Sequence, residues 1–127
     1  SFSVADAALG GRPDAALGAL RWALETGVPP VLVTSAMASG LRSLGRYLEA
    51  SGGRQRDADL ARSIGVPPWK VKDIAQQSRD WTPAGVARAL LAVAKADADT
   101  KGAASDPAFA LEQLVLTVGS CRGRGRR

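Results

Sequence analysis

Met37, Leu41, Leu44 and Leu48 recur at spacings of four, three and four. At about 3.6 residues per turn, that rhythm lines one face of a helix with apolar side chains. The same period returns at Leu17, Leu20 and Leu24, at Val86, Leu90 and Val93, and at Leu111, Leu114, Val115 and Val118. Leu116 falls off the last of these faces, and a helix apolar on more than one side is either deeply buried or part of an interface. Residues 114–118 have strand propensity, but their context is helical.

Proline and glycine punctuate these stripes. Together they predict helices over 2–9, from Pro13 to a stop at Gly27, from Pro29-Pro30 to about 50, and over 57–63. Three more follow, from Pro67-Pro68 to about 79, from Pro83 to 101, and from Pro107 to about 118. Thr82-Pro83 and Asp106-Pro107 each read as an N-cap followed by proline in the first turn. Gly102 suits the left-handed position that ends a helix. Gly40 and Gly45 weaken the third helix's propensity but permit close packing. The sequence Gly-Val-Pro-Pro occurs twice, at 27–30 and 65–68, with unmatched flanks. It is one stop-and-start device used twice, not a repeat architecture. The fold class is all-α, a single compact bundle of about six to seven helices. One helical domain is expected over 1–121, with an Arg/Gly-rich disordered tail over 122–127.

Length and composition fit that reading. A chain of 127 residues suffices for one domain with a real core. Its apolar residues are mostly Ala, Leu and Val, which favour helix. The formal charge of +5 is concentrated at one end. Arg122, Arg124, Arg126 and Arg127 supply four of it, so the body stands near +1. The body is therefore no obvious polyanion surface, whereas the tail is either a solvated terminus or a weak, salt-sensitive nucleic-acid contact. The first residue, a serine within a helical pattern, suggests a fragment of a longer protein.

Composition also removes chemistry. With no histidine and one cysteine, Cys121, the chain cannot build a Ser-His-Asp triad, an H-E-x-x-H site, a Cys-rich zinc site or an intrachain disulfide. No phosphate-binding G-x-x-x-x-G-K-[ST] loop occurs. No cofactor or metal is expected, and no membrane span or secretory signal is visible. A reducing, cytoplasmic setting fits the cysteine usage.

The acids in Ala-Lys-Ala-Asp-Ala-Asp-Thr-Lys-Gly, 94–102, need a separate reading. Asp97 and Asp99 point about 200° apart on a helix, so they cannot easily share one metal. Asp97 and Lys101 are four apart with the acid first, the favourable order for an ion pair. The stretch is expected to be a helix end, a short loop and a helix start.

Two features could carry binding. Ala61, Gly65 and Val71 have the spacing of a helix-turn-helix, whose second helix would begin near Pro68. Pro67-Pro68 in the turn and an outward Asp73 are poor for reading bases. Trp69, with Lys70 and Lys72 beside it, either stacks on a nucleic-acid base or packs against Ile64 or Ile74. Trp22, Tyr47 and Trp81 read as packing residues, although Trp22 lies off its helix's apolar stripe and is a candidate protein contact.

Over nearly its full length the chain resembles the C-terminal, collar domain of the delta subunit of bacterial DNA polymerase III. The resemblance rests on residues 4–30, on 59–82 and most clearly on 90–118. In the last stretch the family pattern is an acid, three residues, lysine and a small residue, then Asp-Pro and a helix with an acid and a leucine run. Here those are Asp97, Lys101, Gly102, Asp106, Pro107, Glu112 and residues 114–116. The resemblance implies that Asp97, Lys101, Gly102, Asp106 and Pro107 are a structural signature and not an active site.

It further implies a non-catalytic assembly module within a polymerase holoenzyme, a nucleotidyltransferase. The implied partners are the collars of the ATPase (tau/gamma) subunits and delta-prime, in the clamp loader that places the sliding clamp on primed DNA. Trp69, Lys70 and Lys72 become candidate DNA contacts above the primer–template junction, and Trp22 and Leu116 candidate interface residues. The Arg-rich tail is not a general family feature, and the loop at 102–105 lacks a second stacking aromatic. Ala, Gly and Arg usage resembles that of high-GC bacteria. The competing function is a helix-turn-helix domain that binds DNA sequence-specifically.

Overall fold

A computed structural model describes residues 2–50, 57–102 and 106–123 of the chain. Those residues form seven α-helices: α1 (Phe2–Leu9), α2 (Pro13–Glu25), α3 (Pro30–Ala50), α4 (Asp57–Ile64), α5 (Lys70–Gln77), α6 (Pro83–Lys101) and α7 (Pro107–Arg122). No strand occurs among them. The all-α expectation and the element order both hold.

The long helices make the core. α6 packs along both α3 and α7, while α1 lies against α2, α3 and α7. Leu9, Leu20, Met37, Leu41, Leu44, Leu111 and Val118 are fully buried at this junction. Burying each such side chain contributes about 1.5–3 kcal/mol, which makes this packing the dominant stabilising term. The α2 stripe centres on Ala16, Leu20 and Ala23, with Leu17 and Leu24 on its half-buried margins. Leucine spacing alone centres that stripe one position off, because two of the inward positions are alanines.

α4 and α5 form a satellite against the C-terminal half of α3. Leu60, Ala61, Ile64, Val71 and Ile74 close a second apolar cluster, flanked by Tyr47. Arg46 of α3 donates to the Ile64 carbonyl at 3.2 Å, satisfying an orphan acceptor at the end of α4.

Glycine sets one helix end as expected and not another. After α2, Gly27 sits at φ 90°, the Val28 N–H reaches the Ala23 carbonyl, and the Gly27 N–H reaches that of Leu24. This is a Schellman stop, and a residue with a Cβ would be strained there. Gly102 does not do the same. Its φ of −72° and ψ of 152° are extended, and its N–H makes a tightened bond to the Asp99 carbonyl. The chain leaves α6 without a left-handed turn, so the expected role of this glycine is corrected.

The N-caps hold at both predicted sites. The Thr82 hydroxyl accepts from the Gly85 N–H at 3.0 Å, and Asp106 accepts from the Phe109 N–H at 3.1 Å. Three helices have boundaries that differ from expectation, the least of them α4, which runs one residue further, to Ile64. α5 begins at Lys70, after a turn that holds Pro68 and Trp69, and stops at Gln77. α7 runs to Arg122, past the expected stop near 118 and one residue past the expected domain boundary. The expected loop at 51–54 and residues 124–127 of the tail lie outside the described residues.

Candidate functional site

Asp97 ties the end of α6 to α3. Lys101 Nζ donates to its Oδ2 at 2.7 Å, and Thr34 Oγ1 from α3 donates to its Oδ1 at 2.9 Å. Thr34 is the buried polar residue of the core, at 3% exposure. Its hydroxyl also stands 3.1 Å from the Val31 carbonyl, but the carboxylate is the stronger acceptor for its one proton. The hydrogen bonds from Lys101 and then Thr34 hold the Asp97 carboxyl below its usual range, against the opposing effect of burial. Asp99 points elsewhere and pairs with Lys95 at 2.8 Å. The two acids thus serve separate ion pairs. No group of three or more metal-ligating side chains occurs among the described residues.

The Ala61–Gly65–Val71 spacing does build a packed helix pair. Ala61 and Val71 are buried, and the Gly65 and Val66 N–H groups both reach the Ala61 carbonyl. The second helix has only eight residues and presents Asp73 to solvent. Val71 and Ile74 face inward against α4. Ala61 and Val71 thus pack the two helices against each other.

Trp69 does not pack against Ile64 or Ile74. It is 70% exposed, at the N-terminal end of α5. Lys70 Nζ stands 5.9 Å from the ring centroid, within cation–π range, and Lys72 is exposed. An aromatic face with a cation at its side offers a stacking platform for a nucleic-acid base. Trp69 and Lys70 therefore meet at one corner of the surface, while Lys72, two positions beyond Lys70 on α5, points away from Lys70.

The other two tryptophans divide. Trp81 is buried and donates its indole N–H to the Leu9 carbonyl. Trp22 is 68% exposed on α2, which rules out a packing role and leaves its candidacy as a contact. Leu116 is 49% exposed on α7. α2 and α7 are neighbours, tied at their surface by Arg21 and Glu112 at 3.8 Å.

Sequence reasoning missed Phe109 and Leu91, both more exposed than Leu116. Phe109 and Leu116 are seven apart, two turns along one helix line, so α7 carries an outward apolar line opposite its buried face. That signal was present in the spacing. Phe109 also borders a groove between α6 and α7 lined by Ala92, Ala96, Ala110 and Leu114. Among the described residues no helix is long and apolar enough to cross a membrane.

Comparison with known families places this arrangement. The family model described as DNA polymerase III delta subunit, C-terminal domain, matches residues 1–118. Comparisons with curated proteins and with solved structures each return no match.

Proposed function

Because the chain belongs to the family of C-terminal domains of DNA polymerase III delta subunits, we propose that it is a collar module of a clamp loader. It assembles with the matching domains of the ATPase subunits and delta-prime, and performs no chemistry itself. Its setting is the bacterial cytoplasm. The family match over residues 1–118 carries this reading.

The surface supports it. Trp22, Phe109 and Leu116 stand exposed on helices whose opposite faces fill the core, as expected of a domain that pairs with other helical domains. Asp97, Lys101, Asp106 and Pro107 serve the scaffold in this reading, as does Gly102, although not through the expected left-handed turn. Trp69, with Lys70 and Lys72, takes a base of the primer–template strand near the collar, where stacking contributes about 1–3 kcal/mol per base.

The test is co-elution with an ATPase subunit and delta-prime that carry their own collars, by size exclusion with light scattering at moderate salt. A complex of defined stoichiometry is expected. A folded chain that stays alone at micromolar concentrations would refute assembly through this domain.

A further inference from the structure

α1 and α5 both lie against α3, and between them is a cleft of about 440 Å³. Asp6, Arg12, Lys70, Asp73, Gln76 and Gln77 line it, with Gly10. Arg12 is placed there by the way α1 stops. Its N–H reaches the Ala7 carbonyl and the Gly11 N–H reaches that of Ala8, with Gly11 at φ 76°. This is a Schellman stop, after which the Arg12 side chain folds back along the helix end. Its guanidinium rests over Gly10, with Nε and Nη2 at 3.6 and 3.7 Å from where a Cβ would stand. The turn is also held from α7, since Arg122 covers Gly11 and reaches Asp80 at 3.7 Å.

The polar groups of this cleft are open. Among the described residues, the side chains of Asp6, Arg12, Asp73, Gln76 and Gln77 form no hydrogen bond or ion pair. Two carboxylates and a guanidinium thus share one cleft without pairing with each other. A ligand that satisfies them carries donors for the carboxylates and acceptors for the guanidinium.

Position narrows the class of ligand. Lys70 belongs to the cleft and to the exposed aromatic corner, with Nζ 5.9 Å from the Trp69 ring centroid. A strand with one base on Trp69 therefore brings a neighbouring base to the cleft. Of the four DNA bases, guanine has both a pair of adjacent donors, N1–H and the N2 amino group, and a pair of adjacent acceptors, O6 and N7. The donors match a carboxylate, and the acceptors match the guanidinium fork. Thymine has one N–H between two carbonyls and matches neither in a bidentate way.

We propose that the cleft between α1 and α5 binds the edge of an unpaired guanine in single-stranded DNA. Asp6 and Asp73 are the acceptors, Arg12 is the donor, and the amides of Gln76 and Gln77 can take either role. The site deepens the proposed Trp69 contact, on which it rests for the neighbouring base, and does not depend on collar assembly.

Two labelled oligonucleotides test it by fluorescence anisotropy at one salt concentration, an oligothymidylate and the same strand with one central guanine. The guanine strand should bind this chain about tenfold tighter, the scale of one good bidentate pair. Asp6→Asn combined with Asp73→Asn should bring the ratio of the two affinities close to one. Hypoxanthine in place of guanine lacks the N2 amino group and should remove most of the preference with the chain unaltered. 7-Deazaguanine, which lacks N7, should remove part of it in wild type and nothing further in Arg12→Gln.

Equal affinity for the two strands would overturn the proposal. So would a preference that survives the paired Asn substitutions or the hypoxanthine strand. Trp69→Ala separates this site from the stacking contact. If that variant weakens both strands and they bind wild type equally, the stacking contact stands and the cleft fails. If it changes neither affinity while the guanine preference persists, the cleft stands and the stacking contact fails. Binding of neither strand overturns both, and leaves collar assembly to the co-elution measurement.

Discussion

Trp81 donates its indole N–H to the Leu9 carbonyl at 2.9 Å, across 72 positions of sequence and inside the core. Leu9 is the last residue of α1, whose final carbonyls have no partner within the helix. The bond therefore satisfies a buried acceptor and locks the start of α6 to the end of α1. Trp81→Phe keeps much of the ring's apolar contact but strands that carbonyl. A loss of about 1–3 kcal/mol in urea unfolding is expected. A midpoint equal to wild type would mean that another donor replaces the indole.

Two helix-interior glycines should respond oppositely to alanine. A Cβ at Gly85 would collide with the Cys121 carbonyl, which is backbone and cannot swing aside. Gly85→Ala should cost about 1–3 kcal/mol as α6 and α7 are forced apart. A Cβ at Gly45 would meet Val86 at 3.5 Å, an ordinary contact. Gly45→Ala should stabilise by about 0.5–1 kcal/mol through helix propensity. Thermal unfolding of the two variants decides it, and destabilisation by both would show that α3 and α6 approach more closely than these distances indicate.

The contrast shows what the sequence could and could not convey. Gly40 and Gly45 look alike as packing glycines, yet only Gly40 is tight, with Leu9 Cδ1 at 2.6 Å from its would-be Cβ. That difference depends on where α1 crosses α3, which no local pattern encodes. The helices themselves were legible, because Pro13, Pro83 and Pro107 start them and Gly27 and Gly65 stop them, all through short-range backbone sterics. Gly102 misled for the same reason that the others succeeded. The rule names a residue type, and the geometry depends on where the chain goes next. The Arg122–Asp80 pair was invisible, since its partners are 42 positions apart and neither belongs to a motif. Trp69 was ambiguous in sequence because a ring in a turn before a helix can face either way. Its exposure was settled by Val71 and Ile74 taking the inward positions.

Asp97 should give the domain a measurable pH dependence. Its carboxyl is held below the ordinary value of 3.8 by Lys101 first and Thr34 second. A lowered folded-state pKa contributes stability that is present above the unfolded value and is lost as pH falls through the folded one. Lys101→Met removes the larger cause. The variant should melt lower than wild type at neutral pH, and the gap should close in acid once Asp97 is protonated in both proteins. Thr34→Val should behave the same way, with an added loss at all pH values from its buried hydroxyl. A gap that stays constant into acid would mean that Lys101 acts through packing and not through charge.

Leu116 separates folding from assembly. It is half exposed, while Val115 and Val118 beside it are buried, so a charge at 116 can reach water without entering the core. Leu116→Glu should therefore unfold within about 0.5 kcal/mol of wild type, as exposed positions usually do. Val115→Glu, placed inward, should fail to fold and marks the scale of a core disruption. If α7 meets a neighbouring collar through its outward line, Leu116→Glu and Phe109→Glu should each weaken co-elution with the partner subunits at least tenfold, because each buries a charge against an apolar surface. Trp22→Glu, on the adjacent helix, reports whether the same partner reaches α2. Normal co-elution by folded Leu116→Glu and Phe109→Glu variants would move the contact off α7. The exposed side chains of α2 and the groove-facing residues of α6 would then be the next positions to charge.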